Sequence, residues 1–305
     1  MPALSTASLR ASLSQLKVTD ADAAELLRTM PSPDRHPETW SLLERSRLLL
    51  AQGLANRGNN AEPLPALPPS LRFFPVHLIL NTLDAIRQCH QAFGIPDDIS
   101  WETLSYLGQA MSAYRATHGE AGIHLTRWDW MRYSGWLYQV GRLTVIPYRL
   151  RTHPEAGPLF WYDDEAAARL GAGFRKGDAA LSIHVPPAEP LTPSACGESI
   201  QRMETAFDHV FPGESPRVAT CTSWLLDEQL AEYLPSESNI LAFQRRFELV
   251  PGARDDDNSF LLFVFGPGRP KDLNALPQRT TLERAAVQHI KQGRHWRMRT
   301  GWLAV

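Results

Sequence analysis

The chain has 305 residues, of which 43% are hydrophobic and 21% charged, with a net charge of −2 and a pI near 6.6. That is chain enough for one large or two ordinary folded domains, and its charge balance argues against a broad footprint for nucleic acid or anionic membrane. Three widely spaced cysteines (Cys89, Cys196, Cys221), no CxxC, no signal-peptide core and no apolar run near the ~20 residues that span a bilayer predict a soluble protein of the reducing cytoplasm.

The first elements read as helices. In TDADAAELLRTM, Thr19 or Asp20 caps, and Ala23, Leu26, Leu27 and Met30 share one face. PSPDRHP breaks the pattern, and ETWSLLERSRLLLAQGL resumes it. RGNNAEPLPALPPS reads as a surface connection. FFPVHLILNTLDAIRQCHQAFG is helical as far as Gly94 and Pro96. SWETLSYLGQAMSAYRATHG follows, with Ser100 as its expected cap and Gly119 as its end.

The character changes near residue 124, which sets expected domains at 1–123 and 124–305. Tyr138 to Leu150 reads as a strand, GDAALSIHVPP as a second ending at Val185, and RVATCTSWLLD as a third. FELVPGARDDDNSFLLFVFG reads as a strand, an acidic hairpin turn at Asp255 to Asn258 and another apolar strand. The basic clusters Arg245-Arg246 and Arg294 to Arg299 read as solvated faces. The expected fold is α/β (α+β): a helical N-terminal domain, then a mixed β-sheet domain flanked by helices.

One joint bears on function. After the strand ending at Val185, Thr192 caps a helix that begins with Pro193. Cys196, Ile200, Met203, Phe207, Val210 and Phe211 form its apolar face, and Pro212-Gly213 ends it. A helix start fed by a strand leaves N–H groups unpaired and favours an anion. Every strand-helix unit shares that property, so ordinary architecture explains it equally well.

The stretches SIHVPPAEPLTPSACGESIQRMETAFDHVFP, CTSWLLDEQLAEYLPSESNILAFQRRFEL and LPQRTTLERAAVQHIKQG resemble a bacterial group of GNAT-like acyltransferases. Members of that group pair a helical N-acyltransferase N-terminal domain with a GNAT-like C-terminal domain. ISWETLSYLGQAMSAYRATHGEAGIHLTRWDW and GWLYQVGRLTV carry the N-terminal part of the likeness. The resemblance implies transfer of an acyl group from acyl-CoA, or a related thioester, to an amine or hydroxyl of a small-molecule acceptor by direct attack in a ternary complex. It implies no metal. The alternative is a non-catalytic ligand-binding or interaction module of the same fold. Two departures favour that alternative. The loop PPAEPLTPSACG lacks the family's Gln/Arg-x-x-Gly-x-Gly/Ala phosphate motif and carries Glu189. The later helix NILAFQRRF has no tyrosine to act as general acid.

The candidate residues each carry two readings. His184, at a strand end, is a general base or a half-buried histidine bonded to backbone. Ser223 assists the leaving thiolate or caps a helix starting near Leu225. Asp227 then lies in that helix's first turn. The thioester oxygen would be polarised by a backbone N–H near Pro186 to Ala188 or near Trp224. Val185, Thr192, Ser194, Ala195, Cys196 and Asn239 are the candidate CoA contacts. Trp224 and Arg142 are the candidate substrate contacts, with a buried aromatic and an edge arginine as the alternatives. Cys221 reads as packing. A hydrolase built on Cys221 or Ser223 is the third reading, and no G-x-S-x-G elbow is present to support it.

Overall fold

The computed structural model describes residues 6–55, 64, 67–150, 175, 177–187 and 189–305. They form two compact units, Met1–Val140 and Gly141–Val305.

The first unit is helical: α1 (Thr6–Gln15), α2 (Asp20–Arg28), α3 (Pro37–Ala55), α4 (Phe74–Ala92), α5 (Asp97–Leu104), α6 (Tyr106–His118) and α7 (Arg127–Tyr133), followed by the short strand β1 (Tyr138–Val140). Thr19 caps α2 by accepting the Asp22 N–H. Leu26, Leu43, Val76, Ile79, Ile86, Leu107 and Met111 meet in one buried core, as their helical spacing requires. Ser100 is not a cap. Pro96 precedes α5, and buried Ser100 instead bonds His90 Nδ1 at 2.9 Å, fastening α5 to α4. The predicted single helix breaks at Ser105 into α5 and α6. Gly119, at φ +73°, closes α6 in the left-handed conformation. Gly108 is required by contact: a Cβ there would lie 2.0 Å from the Lys17 carbonyl oxygen.

A capping box between Thr126 and Asp129 starts α7. Trp130 and Tyr133 on α7 enter the first unit's core. The unit therefore runs to 140, beyond the 123 expected from composition. Aromatic residues begin to accumulate before the packing changes hands.

The second unit contains β2 (Leu143–Arg149), β3 (Ala179–His184), α8 (Pro193–Ala206), β4 (Val218–Ser223), α9 (Asn239–Gln244), β5 (Glu248–Leu249), β6 (Arg254–Asp255), α10 (Asp257–Phe265), α11 (Thr281–Lys291) and β7 (Arg297–Ala304). Its sheet runs β2-β3-β4-β7-β5, and β6 pairs with β7. The β3–β4 pair is parallel, with α8 as its crossover; β2–β3, β4–β7 and β5–β7 are antiparallel. No described helix is long and apolar enough to cross a membrane.

Three expectations change. The helix after Thr192 stops at Ala206; Val210 and Phe211 are buried in the turns beyond it. The run SFLLFVF is a helix, not a strand, because Asp256 caps it by accepting the Ser259 N–H at 3.0 Å. The acidic stretch is thus a helix start: Asp257 accepts the Trp296 N–H at 2.8 Å. Finally, the basic segment from Arg297 is not a solvated face but β7, which lies between β4 and β5. Its Gly301 admits Phe247, whose Cβ would be 2.8 Å from an added methyl.

Candidate active site

The parallel strands β3 and β4 carry the site. Their paired register ends at Ser182–Thr220, yet β3 continues to His184 and β4 to Ser223. The β3–β4 pairing thus stops short of His184, at the end where α8 begins. Register places Thr144, Ser182, His184, Thr220, Thr222 and Thr300 on one face. Polar pairs line part of this face: Ser182 Oγ lies 3.1 Å from His184 Nε2, Tyr148 and Thr220 share a hydrogen bond of 2.7 Å, and Thr222 and Thr300 share one of 2.8 Å, beside an apolar cluster of Ala180, Val218 and Trp302.

His184 is half-buried on that face, and burial pushes its pKa down to about 4. The imidazole is therefore neutral at pH 7, the state a proton acceptor needs. Ser223 projects from the opposite face, by alternation with Thr222. Its Oγ accepts the Leu225 N–H at 3.1 Å. The structure thus does not bring His184 and Ser223 together on one face. Cys221 is buried beside neither base nor cation, and its thiol is pushed up to about 12 by burial alone.

The start of α8 is less open to an anion than its sequence suggested. Thr192 accepts the Ala195 N–H through its side chain and the Cys196 N–H through its carbonyl. Pro193 has no N–H. Ala195 and Cys196 therefore spend their amides inside the helix cap, while Ser194 stays exposed and Val185 is the half-buried residue just past β3. Ala188 lies outside the described residues.

Two guanidiniums lie near this helix start. Arg246 reaches back from beyond α9 and donates to the Pro193 carbonyl at 2.6 Å, its guanidinium beside Gly197. Arg142 donates through Nη1 to the Pro186 carbonyl at 3.0 Å and through its backbone N–H to Ser199 Oγ at 2.9 Å. Both cations act on the Cys196 thiol, whose pKa is raised by burial against their pull. Arg142 was among the expected residues; Arg246 was read as surface. The sequence signal for Arg246 was only a doublet 50 residues downstream.

The segment after β4 is a scaffold. Trp224 opens a 3₁₀ turn, and its ring packs edge-on against Phe260 at 4.8 Å. Phe260 stacks on Trp296 at 4.2 Å, and Trp296 on His289 at 4.0 Å. Tyr233 shares a hydrogen bond of 3.0 Å with His289 Nδ1. Asp227 is not in a first helical turn but caps the 3₁₀ turn Glu228–Glu232. It is fully buried and accepts N–H groups from Gln229 and Arg297. Ser238 caps α9 by accepting the Leu241 N–H, with half-buried Asn239 as the first helical residue. Among the described residues no group of three or more His, Cys, Asp or Glu could hold a metal ion.

Comparison with curated proteins finds no match. Family models do match: an N-acyltransferase N-terminal domain over residues 7–135 and a GNAT-like C-terminal domain over 137–303. Among solved structures, an acyltransferase in complex with decanoyl-CoA and teicoplanin is 37% identical, with a TM-score of 0.74 over 98% of this chain and 88% of that one. An acyltransferase bound to CoA and 10C-teicoplanin is 36% identical, with a TM-score of 0.75 over 97% and 87%. A mutant acyltransferase with octanoyl-CoA is 35% identical, with a TM-score of 0.75 over the same shares. The two family models and the likeness along nearly the whole chain lead to one conclusion: this chain belongs to the acyltransferases that join an N-acyltransferase N-terminal domain to a GNAT-like C-terminal domain.

Proposed function

We propose that this chain transfers a medium-length acyl group from acyl-CoA to an amine or hydroxyl of a small-molecule acceptor, in the cytoplasm where CoA thioesters are made. The end of β3–β4 pairing short of His184, at the start of α8, is the observation that carries this reading. A thioester lying between the ends of these strands presents its carbonyl carbon to the acceptor. The acceptor nitrogen or oxygen forms the new bond to that carbon, the C–S bond breaks, and His184 takes the acceptor's proton. The thiolate leaves as CoA and takes a proton in turn. No covalent acyl-enzyme is needed, which fits the inert Cys221.

Arg246, Arg142 and the start of α8 suit the CoA pyrophosphate: two guanidiniums supply the charge that the depleted amides do not. The octanoyl and decanoyl donors of the related structures favour a medium chain here, and their acceptor favours a glycopeptide. Thiol release from octanoyl- and decanoyl-CoA with teicoplanin as the probe acceptor tests the reading. We expect turnover with at least one donor and a fall in kcat of roughly 10² or more for His184→Ala. Turnover unchanged in that variant would remove His184 from the chemistry.

A further inference from the structure

The ring of His184 is held from its own strand. Ser182 and His184 stand two residues apart on β3 and share a face, and Ser182 Oγ lies 3.1 Å from His184 Nε2. The backbone beneath the ring is fixed as well. Thr144 on β2 pairs with His184, and its hydroxyl donates to the His184 carbonyl at 3.3 Å. Strand pairing thus sets where the ring is attached, and Ser182 acts on the ring itself. Both residues are half-buried, so water competes less for their bond than it would at the surface.

A serine hydroxyl donates or accepts, and a neutral imidazole offers one N–H and one bare nitrogen. Before reaction the bond can form in either sense. Once His184 has taken the acceptor's proton, only one sense is left. The imidazolium carries a proton on each nitrogen, so Nε2 donates and Ser182 Oγ accepts. That bond is charge-assisted, and such bonds are roughly twice as strong as neutral ones. An interaction that strengthens as charge develops lowers the barrier and does not merely tighten the ground state. The ring has need of it, because burial holds the His184 pKa down to about 4 and so opposes the proton the ring must carry.

We propose that Ser182 is a positioning residue for acyl transfer, which holds the His184 ring and accepts its Nε2–H as the imidazolium forms. The inference rests on the reading of His184 as the base. The acceptor's proton passes to His184 and then to the departing CoA thiolate. Ser182 keeps its own proton and forms no bond to the acyl carbon.

Thiol release from octanoyl- and decanoyl-CoA, with teicoplanin as the probe acceptor, tests it on the full chain and its variants. Ser182→Ala should lower kcat roughly fivefold to tenfold and hold both KM values within about twofold. In a His184→Ala background the same change should alter kcat by less than about twofold, since no ring remains to be assisted. Ser182→Thr keeps a hydroxyl on a residue suited to a strand and should retain about half of the parent's kcat or more. The proposal is overturned if Ser182→Ala keeps the parent's kcat, fails to fold, or loses activity through KM. It is also overturned by equal losses in both backgrounds, or by a threonine variant as slow as alanine. A parent that releases no thiol, or a His184→Ala chain as fast as its parent, removes the reading of His184 and this inference with it. A slow His184→Ala chain beside an unaffected Ser182→Ala chain removes Ser182 alone.

Discussion

Replacement of Asp227 by alanine should destabilise the second unit more than any single surface change. The carboxylate is fully buried and accepts three N–H groups: Gln229 N at 3.1 Å, Gln229 Nε2 at 3.1 Å and Arg297 N at 2.8 Å. Alanine strands two backbone donors, one at the head of the 3₁₀ turn Glu228–Glu232 and one at the first residue of β7. Each buried, unpaired donor costs about 1–3 kcal/mol. Burial of the carboxylate itself opposes ionisation, and its removal returns part of that cost. The net loss should be about 3 kcal/mol, which lowers the midpoint of the second unit's transition by roughly 6–12 °C. Asp227→Asn keeps one acceptor oxygen and should lose about half as much. Differential scanning calorimetry resolves this, since two units need not unfold as one transition. A drop below about 2 °C for the alanine variant would refute the view that Asp227 ties the turn to β7.

Other consequences follow from single contacts. Arg246→Ala should raise KM for acyl-CoA roughly tenfold with kcat little changed, because it removes one charge-assisted contact to phosphate; equal KM values would exclude Arg246 from the donor site. Gly108→Ala drives a Cβ to 2.0 Å from the Lys17 carbonyl oxygen and should cost about 3 kcal/mol in the first unit, read as an earlier thermal transition. His77 and His90 are both pushed from 6.5 to about 4 by burial. The unfolded chain therefore binds more protons between those values. Their stabilising contribution is complete above pH 6.5 and lost as pH falls through about 4, about 3 kcal/mol for each. His90→Asn should flatten the pH dependence of the first unit's melting between pH 6.5 and 4; an unchanged slope would contradict the assignment.

Besides the family, which a resemblance carried, the sequence by itself determined α2, α3 and α4, the end of α6 at Gly119 and the strand-helix-strand joint at Thr192. Each depends on local spacing: Ala23 and Leu26 on one face, Thr19 and Thr192 at caps, glycine where φ must be positive at Gly119. It also placed His184 at a strand end, because alternation with Ile183 is a two-residue pattern.

Tertiary structure decided what depends on partners distant in sequence. SFLLFVF is apolar enough for either a strand or a helix, and the Asp256 cap with Asp257 bonded to Trp296 selects the helix. The arginine-rich C-terminal segment carries no strong strand signal; its place between β4 and β5 is fixed by cross-strand bonding and by the gap that Gly301 leaves for Phe247. Arg246 lies at α8 only because α9 turns the chain back there. Local sequence placed Asp227 only in the first turn of a helix. Burial and a bond to Arg297 make that aspartate a clamp, for a carboxylate's role is set by which N–H groups the fold delivers to it.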